Sequence, residues 1–470
     1  MSDSLKFGTS GLRGLAAELA GPAARRYTSA FIAHLRAGGG LGAGRVYLGR
    51  DLRASSSAIS SGCAAAIAAA GLEAVDCGIL PTPALALHAM AMGAPAIMVT
   101  GSHIPADRNG LKFYSARGEI TKGDEAGILA ALSDRVADGL GQATDGFAAA
   151  GDRYRQRYRH LLPSGALGGW RIGVYEHSSV ARDLLVSLLT RAGADVVRLG
   201  RSATFVAVDT EAFADRVFAP VPGWIAEHHL DAVVSTDGDG DRPLVIDAAG
   251  NFVRGDVLGM LAARLVGATS VVTPVTSNSA IEGVGWFAQV ERTRVGSPFV
   301  IAGMETLAAT PGGPVVGFEA NGGTLLGSPA TVNGRALTAL PTRDAVLPIL
   351  AAFGLASAGG TNLSELVGSL PVRAALSDRL AEVPGERSGA FLRRLVEEPG
   401  YAAAFFAPVG EVERVSTIDG PRFSLVSGDT VHYRASGNAP ELRCYVEGVT
   451  PERAAELLAW GLDAAAAQVR

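Results

Sequence analysis

The chain has 470 residues, of which 48% are hydrophobic, and its 41 basic and 46 acidic residues give a formal net charge of −5. This length predicts about three domains, with two or four also plausible. A mildly acidic chain without a basic run is not expected to bind nucleic acid. Three cysteines without metal-ligand spacing favour a reducing cytoplasm. The polar first ten residues and the short apolar stretches predict no signal peptide and no membrane span.

Short apolar segments alternate with helical patterns along most of the chain. The predicted elements of the first half are strand Arg45–Gly49, helix Ser57–Ala70, strand Ala74–Asp76, helix Ala84–Met92, strand Ala96–Thr100, strand Arg171–Tyr175, helix Ser179–Ala192 and strand Asp195–Arg198. Those of the second half are strand Ala232–Ser235, helix Leu258–Val266 and strands Ser270–Pro274 and Val315–Phe318. Strands that alternate with helices of this length predict parallel sheets in an α/β protein.

The pattern of the segment Arg45–Asp76 returns at Arg171–Arg201 and, more weakly, near Arg254–Arg294. This similarity predicts one α/β unit that is used three times. The end of the chain differs, because short strand patterns crowd Val409–Glu447 and an amphipathic helix is predicted over Pro451–Val469. These two segments predict a smaller α+β domain.

A serine loop, Thr100-Gly-Ser-His-Ile-Pro105, follows an apolar strand. Open α/β sheets place their ligands at the carboxyl ends of parallel strands, so Ser102 is a candidate functional residue. An ordinary Gly/Pro surface turn is the alternative, and a serine hydrolase is disfavoured because the G-x-S-x-G elbow is absent. Lys112 follows ten residues later, and it is one of only three lysines among the 41 basic residues. Unlike arginine, lysine can release a proton near neutral pH.

An aspartate loop, Asp237-Gly-Asp-Gly-Asp-Arg242, follows another apolar strand. The alternation places three carboxylates on one side of the loop, which is costly unless a hard cation neutralises them. An EF-hand is excluded because Arg242 stands where that loop requires glycine. The pattern predicts an Mg²⁺ site that shares a phosphate oxygen, and a solvated acidic turn is the less favoured alternative.

Two later loops carry groups suited to a phosphorylated sugar. Glu319 and Asn321, in the segment GFEANGG, could bind vicinal hydroxyls, although a plain turn is the favoured interpretation of that segment alone. The segment RASGNAPELR, from Arg434 to Arg443, combines arginine forks with polar groups around a glycine and predicts a phosphate clamp. No Walker A motif occurs, which disfavours a nucleotide at this clamp. Arg13 lies in a further glycine-flanked segment, FGTSGLRG.

Together these segments resemble the α-D-phosphohexomutase superfamily, the bacterial phosphomannomutases and phosphoglucomutases. FGTSGLRG, TGSHIPADRNGLKFY, DGDGDR, GFEANGG and RASGNAPELRCY occur in the family's order, from residue 7 to about residue 447. The resemblance implies four domains around a central cleft, three related α/β mixed-sheet domains and a smaller C-terminal α+β domain. The expected domains are 1–147 with the phosphoserine loop, 148–248 with the metal loop, 249–362 with the sugar-selecting loop and 363–470 with the phosphate-binding loop.

The resemblance also implies roles for individual residues. Ser102 would carry a phosphoryl group and would ligate Mg²⁺ together with Asp237, Asp239 and Asp241. Arg13, Lys112 and His103 would be the other catalytic residues, and burial beside Mg²⁺ is expected to draw the pKa of Lys112 down toward neutrality. The implied substrate contacts are Arg242, Ser297, Glu319, Asn321, Arg434, Ser436, Asn438 and Arg443.

Several positions depart from the family's motifs. Ile104 replaces an asparagine of the serine loop, and Asn321 stands where the sugar loop often has serine. The clamp departs at Asn438-Ala439. In the segment from Arg292 to Ser297, some relatives carry a histidine that serves as a base. This segment has no histidine here, and the group that fills the role of base stays open.

The reaction implied by the resemblance interconverts hexose 6-phosphate and hexose 1-phosphate, of mannose and also glucose, through a phosphoserine enzyme and a 1,6-bisphosphate. Mg²⁺ is the expected cofactor, and hexose 1,6-bisphosphate is the expected activator. The enzyme is expected to serve nucleotide-sugar and exopolysaccharide supply. Small-molecule sugar phosphates are the expected partners of a cytoplasmic monomer or homodimer without nucleic-acid or membrane partners. The alternatives are a phosphoglucosamine mutase and a non-catalytic sugar-phosphate binding protein.

Overall fold

The structure is a computed structural model that describes residues 4–8, 11–42, 44–133, 141–213, 215–436 and 440–469. The chain forms two compact units, which are Met1–Val272 with Gly296–Ser369, and Thr273–Val295 with Leu370–Arg470. Across the described ranges, every helix is too short or too polar to cross a membrane.

The first sheet of the first unit is mixed. Its strands are β1 (Lys6–Gly8), β2 (Gly11–Leu15), β3 (Arg45–Arg50), β4 (Glu73–Ile79), β5 (Ala96–Val99), β6 (Arg108–Ser115), β7 (Gly118–Glu119) and β8 (Ala143–Asp145). The strand order is β1-β2-β6-β5-β3-β4-β8, with β7 beside β6. Strands β5, β3, β4 and β8 are parallel, whereas β6 runs antiparallel to β5 and β2. The expected all-parallel pairing fails at β5 and β6 because residues 100–107 are too few for a parallel crossover.

The helices of this region pack on the sheet with largely apolar surfaces. They are α1 (Ala16–Glu18), α2 (Ala24–Ala37), α3 (Ser56–Ala69), α4 (Thr82–Ala91), α5 (Lys122–Ala130) and α6 (Phe147–Tyr158), and the chain is kinked at Gly21 between α1 and α2. The predicted helices Ser57–Ala70 and Ala84–Met92 are confirmed to within two residues. Phe31, Ile59 and Ile97 are fully buried in the core between α2, α3 and the sheet.

The second sheet carries the aspartate loop. Its strands are β9 (Arg171–Tyr175), β10 (Asp195–Leu199), β11 (Ala232–Thr236) and β12 (Pro243–Asp247), and its helices are α7 (Arg182–Ala192) and α8 (Val221–His228). The order is β10-β9-β11-β12, and only β12 is antiparallel to its neighbour. Helix α7 begins three residues later than predicted, because Ser179 Oγ accepts a hydrogen bond from the Ala181 N–H at 3.0 Å and lies 2.6 Å from Thr236 Oγ1.

A third set of strands carries the loop around Glu319. The strands are β13 (Ser270–Pro274), β14 (Gln289–Thr293), β15 (Val315–Phe318), β16 (Thr324–Leu326), β17 (Ala330–Val332), β18 (Arg335–Leu337) and β19 (Leu340–Asp344). The helices are α9 (Gly255–Leu265), α10 (Ala280–Gly283), α11 (Ser297–Ala308), α12 (Val346–Ala358) and α13 (Leu363–Gly368). Strand β13 pairs in parallel with β15, and β16 and β19 continue antiparallel. Helix α12 is buried on nearly all sides, as its apolar sequence predicts.

The last sheet is antiparallel throughout and belongs to the second unit. Its strands are β20 (Ala374–Leu380), β21 (Val412–Ser416), β22 (Arg422–Leu425), β23 (Thr430–Ala435) and β24 (Leu442–Gly448), in the order β20-β24-β23-β22-β21. Helices α14 (Gly385–Glu397), α15 (Tyr401–Phe406) and α16 (Pro451–Val469) complete it. Phe391, Phe406 and Tyr433 lie in its core. The predicted α+β domain and its closing helix are confirmed, while the four domain boundaries stay predictions.

Candidate active site

The serine loop joins the antiparallel strands β5 and β6. Ser102 is 1% exposed and has a φ of 54°, which is rare for a residue other than glycine and marks a tightly specified position. Its N–H donates to Thr100 Oγ1 at 2.8 Å. Its Oγ donates to Asp237 Oδ2 at 2.5 Å and lies 3.1 Å from His103 Nδ1. The structure therefore brings the predicted serine and aspartate loops into direct contact.

Arg53 holds the serine loop from the protein interior and was missed by the sequence analysis. Its side chain is fully buried and donates to Ser102 O at 2.9 Å and Ile104 O at 2.6 Å. It also donates to Pro105 O at 2.6 Å, to Arg108 O at 2.8 Å and to Asp51 Oδ2 at 3.1 Å. A Cβ at position 101 would lie 2.7 Å from the Arg53 guanidinium carbon, which explains the glycine there.

Replacing Arg53 by lysine should destabilise the protein by about 2 kcal/mol, because an ammonium group cannot reproduce a planar fork that serves four carbonyls and a carboxylate. Chemical denaturation would measure this loss as a lower transition midpoint. Arg117→Lys, at an exposed turn, is the matched control and should change the free energy of unfolding by less than about 0.5 kcal/mol. Equal midpoints for the two variants would contradict the positioning role of Arg53.

The aspartate loop between β11 and β12 gathers three buried carboxylates. Asp237, Asp239 and Asp241 are each at most 1% exposed, and one oxygen of each lies within 4.8 Å of the others. Asp237 Oδ1 accepts the N–H groups of Asp241 and Arg242, both at 3.2 Å. Thr82, the first residue of α4, donates its hydroxyl to Asp239 Oδ2 at 2.5 Å. The predicted grouping of the three carboxylates is thus observed.

Lys112 lies between two of these carboxylates. Its Nζ donates to Asp239 Oδ2 and Asp241 Oδ2, each at 2.6 Å, and the residue is 5% exposed. Burial alone would lower the pKa of Lys112, but the carboxylates of Asp239 and Asp241 outweigh burial and raise it. The expected shift toward neutrality is therefore not found in this arrangement, in which Lys112 is a protonated donor.

The carboxylates fit a hard divalent cation. Asp239 Oδ1 and Asp241 Oδ1 are buried and lack a hydrogen-bond partner among the described residues. Burial and the charges of Asp239 and Asp241 raise the pKa of Asp237 well above its usual range, so the group is poorly compensated by the chain alone. Oxygen ligands that are buried, close together and unsatisfied are what Mg²⁺ requires.

Two other predicted catalytic residues, Arg13 and His103, lie near this group and differ in charge. Burial, followed by the charges of Arg242 and Arg343, lowers the pKa of Arg13 to about 10. Burial, followed by Arg242 and Arg13, lowers the pKa of His103 to about 2, so its imidazole is neutral. Neutral His103 therefore acts on Ser102 by hydrogen bonding and not by charge.

Arg343, on β19, links the metal loop to the sugar loop and was also missed. Its Nε donates to Asp241 Oδ2 and its Nη1 to Glu319 Oε2, both at 3.2 Å. Arg343 therefore connects Glu319, the predicted sugar-binding residue, to the carboxylate cluster. Asn321 differs from Glu319, because its Oδ1 accepts the Gly323 N–H at 2.9 Å and stabilises its own loop. The amide NH₂ and the second lone pair of Oδ1 are left for a sugar.

Ser297 lies at the start of α11 and is fully buried. Its Oγ donates to Glu119 Oε2 at 2.9 Å, and Thr342 Oγ1 donates to Glu119 Oε1 at 2.8 Å. Glu119 therefore accepts hydrogen bonds from one hydroxyl group on helix α11 and from another on strand β19. The sequence offered no motif for Glu119, which lies on β7, one short turn after β6.

The predicted clamp is in the second unit. Arg434 and Arg443 are directly opposite each other on β23 and β24, and Arg379 is opposite Arg443 on β20. Like charges in facing positions destabilise a sheet unless an anion compensates them. Arg434 pairs with Asp419 at 2.7 Å, and the Ser436 N–H donates to Glu441 O at 2.9 Å. Asn438 lies outside the described residues. Glu441 lies 3.4 Å from both Arg379 and Arg443, so protein carboxylates compensate part of this charge. The guanidinium groups of this row suit a phosphate group.

Comparisons with known proteins agree with this geometry. Family models described as phosphoglucomutase/phosphomannomutase domain I, domain III and C-terminal domain match residues 4–136, 254–374 and 374–460. A phosphomannomutase of Sinorhizobium fredii is 48% identical over 464 residues, covering 97% of this chain and 98% of its own. A phosphomannomutase of Salmonella muenchen is 42% identical over 456 residues, covering 97% and 94%.

A solved structure has the same fold. A phosphoglucomutase/phosphomannomutase family protein from Burkholderia thailandensis superposes with a TM-score of 0.76 at 21% identity, covering 98% of this chain and 97% of its own. These matches and the contact between the serine and aspartate loops support the same identification. The matches are three domain models, two relatives above 40% identity and a four-domain fold. The chain therefore belongs to the phosphoglucomutase/phosphomannomutase family and is an intramolecular phosphotransferase that acts as a sugar-phosphate mutase.

Proposed function

We propose that this chain interconverts mannose 6-phosphate and mannose 1-phosphate, and the glucose phosphates as well, through a phosphoryl group carried by Ser102. The observation that carries the proposal is the 2.5 Å hydrogen bond from Ser102 Oγ to Asp237 within a buried carboxylate cluster. The preference for mannose rests on the two phosphomannomutase relatives. The hexose 1-phosphate product suits nucleotidyl transfer, which is the basis for proposing a role in nucleotide-sugar and exopolysaccharide supply.

Phosphoryl transfer depends on positioning and on neutralising charge. Ser102 is fixed by Thr100 and Arg53, and Lys112, Arg13 and Arg242 supply positive charge around it. Mg²⁺, held by Ser102, Asp237, Asp239 and Asp241, would supply further neutralisation of the transferring group. Because the aspartates keep Lys112 protonated, we assign Lys112 the role of a hydrogen-bond and charge donor and not that of a neutral base.

The metal proposal predicts a specific defect for Asp239→Asn. Thr82 and Lys112 both donate to Asp239 Oδ2, so the single oxygen of asparagine would stay with them. The amide NH₂ would then replace the unpartnered Oδ1 and would repel a cation. We expect the Mg²⁺ concentration for half-maximal activity to rise at least about tenfold.

The Mg²⁺-dependent increase in melting temperature should shrink in parallel, which gives a readout other than activity. Asp195→Asn changes the charge equally at an exposed position and should leave both Mg²⁺ titrations unaltered. An Asp239→Asn variant with an unaltered Mg²⁺ requirement would place the cation elsewhere.

The clamp proposal predicts that Arg434→Ala raises KM for both the 1-phosphate and the 6-phosphate. A clamp that holds whichever phosphate is not reacting serves both orientations of the intermediate. Loss of one charge-assisted contact should raise each KM about tenfold or more. Arg394→Ala, at an exposed i,i+4 pair with Glu398, is the control and should leave KM unchanged. An effect confined to one isomer would contradict a shared clamp.

Steady-state kinetics would test the proposed substrates. We would measure kcat/KM for mannose 1-phosphate, glucose 1-phosphate and glucosamine 1-phosphate, with Mg²⁺ and the matching 1,6-bisphosphate present. The proposal expects the mannose and glucose substrates to exceed the glucosamine substrate at least about tenfold, since an ammonium group would meet the cationic side chains around Ser102. Preference for glucosamine would overturn the assignment and would favour phosphoglucosamine mutase activity.

A further inference from the structure

A cavity of about 510 Å³ lies in the first unit, among α4, α6 and the hairpin of β17 and β18. Its lining residues are Leu87, Ala91, Arg153, Gln156, Arg157, His160, Leu161, Val332, Arg335, Ala336, Leu337 and Thr338. None of them belongs to the serine, aspartate or sugar loops. The volume falls within the range typical of small-molecule sites, about 300–1,000 Å³.

The wall of this cavity is cationic, although the whole chain carries a net charge of −5. Three arginines and His160 contribute to the lining, and no aspartate or glutamate does. Arg153 and Arg335 are exposed, and Arg153 donates only a long hydrogen bond, to His88 Nδ1 at 3.4 Å. Nearby Asp152 pairs with Arg155 and so does not neutralise this wall. Asp344 compensates part of the charge of Arg157, whereas Arg153 and Arg335 form no ion pair among the described residues. The remaining positive charge favours an anionic occupant.

The side chain of Arg157 is held in position by the structure around it. Its Nε donates to Tyr158 Oη at 3.0 Å and its Nη1 to Thr338 Oγ1 at 2.9 Å, whereas its buried Nη2 has no partner among the described residues. Burial lowers the pKa of His160, and the positive charges of Arg335 and Arg191 lower it further. This direction is expected for a histidine that lies among several cationic side chains.

Part of the cavity lining is apolar. It includes Leu87, Leu161, Val332 and Leu337, each of which is at most 8% exposed. The tip of the hairpin is tied to the segment after α6 because Asn333 Nδ2 donates to Leu161 O at 2.8 Å. A single phosphate or sulfate would leave most of the cavity volume of about 510 Å³ empty. The cavity therefore suits a larger molecule with an anionic end and an uncharged remainder.

We propose that this cavity is a second ligand site, separate from the mutase site, and that it binds a nucleoside diphosphate. The diphosphate would contact Arg153, Arg157 and Arg335, whose guanidinium forks match phosphate oxygens. The base and ribose would cover the leucine and valine side chains.

Isothermal titration calorimetry of the full chain with ADP, GDP and UDP tests this proposal. Glucose 1,6-bisphosphate is kept saturating so that the mutase site is occupied, and Mg²⁺ is omitted. We expect at least one nucleotide to bind with a Kd below about 1 mM, and its nucleoside and inorganic pyrophosphate to bind at least about tenfold more weakly.

Variants locate the binding. Arg153→Gln and Arg335→Gln should each weaken binding about tenfold while leaving melting temperature and mutase activity unchanged. Arg155→Gln, which changes the same charge on the same helix outside the cavity, should stay within about twofold. Absence of binding by all three nucleotides, displacement by the bisphosphate, or an equal effect of Arg155→Gln would each overturn the proposal.

Discussion

Replacing Ser102 by alanine should lower mutase activity by at least about three orders of magnitude while the protein stays folded. The proposed phosphoryl carrier is lost, and the remaining cationic and acidic groups cannot provide an alternative nucleophile at the same point. The loss of unfolding free energy should be small, about 1 kcal/mol, because only the hydrogen bonds of the hydroxyl group disappear. Alanine keeps the Cβ of serine, so the backbone at φ 54° is no more strained than before. Coupled assays of hexose 6-phosphate formation and thermal unfolding would measure both quantities.

Ser115→Ala is the matched control for this experiment. Ser115 lies at the end of β6, far along the strand from the serine loop, and its hydroxyl donates to Gly118 O at 3.3 Å and accepts the Arg117 N–H at 3.2 Å. This variant should keep turnover within about twofold of the unaltered chain. A Ser102→Ala variant that also kept its turnover within a few-fold would refute the phosphoserine proposal.

Lys112→Met should destabilise the metal-free protein by about 3–5 kcal/mol. Lys112 is the cation in closest contact with Asp239 and Asp241, at 2.6 Å from each, and all three side chains are buried. Methionine has a similar length but carries no charge, so two buried carboxylates would lose their ion pair. Urea denaturation in the presence of a chelator would measure the loss of unfolding free energy.

Lys6→Met removes the same charge from an exposed lysine on β1 and should cost less than about 0.5 kcal/mol. Added Mg²⁺ should restore part of the stability of Lys112→Met, because the cation would neutralise the same carboxylates. If the unfolding free energy of Lys112→Met were within about 1 kcal/mol of that of the Lys6→Met control, the carboxylates would not need this ammonium group.

The serine and aspartate loops could be predicted from sequence because each is a compact segment at the end of an apolar strand. Their contact could be inferred only through the family resemblance, since Ser102 and Asp237 lie in loops that connect strands of different sheets. Arg53 and Arg343 could not be predicted, because each is one arginine among many and acts through distant backbone or carboxylate oxygens. One pattern could have indicated Arg53. The segment Asp51-Leu-Arg53 comes directly after β3, as the serine and aspartate loops come directly after their strands.

The fold was predictable to a similar extent. Apolar periodicity predicted α3, α4 and α16 closely, because these helices bury most of an apolar surface. The same periodicity could not reveal that β6 and β12 run antiparallel to their neighbours, because strand direction depends on the length of the connecting loop. Helix α7 begins at Arg182 and not at Ser179, because the Ser179 hydroxyl accepts a hydrogen bond from the nearby Ala181 N–H. Helix propensity alone does not predict this shift.

Mass spectrometry of the intact chain and of its peptides tests the central proposal most directly. The protein would be treated with phosphatase, desalted, incubated with mannose 1,6-bisphosphate and Mg²⁺, and then digested. Our account predicts one added phosphoryl group, located on Ser102, and its loss when an excess of mannose 1-phosphate is supplied. Continued turnover by a chain that carries no phosphoryl group on Ser102, or carries it on another residue, would contradict the account.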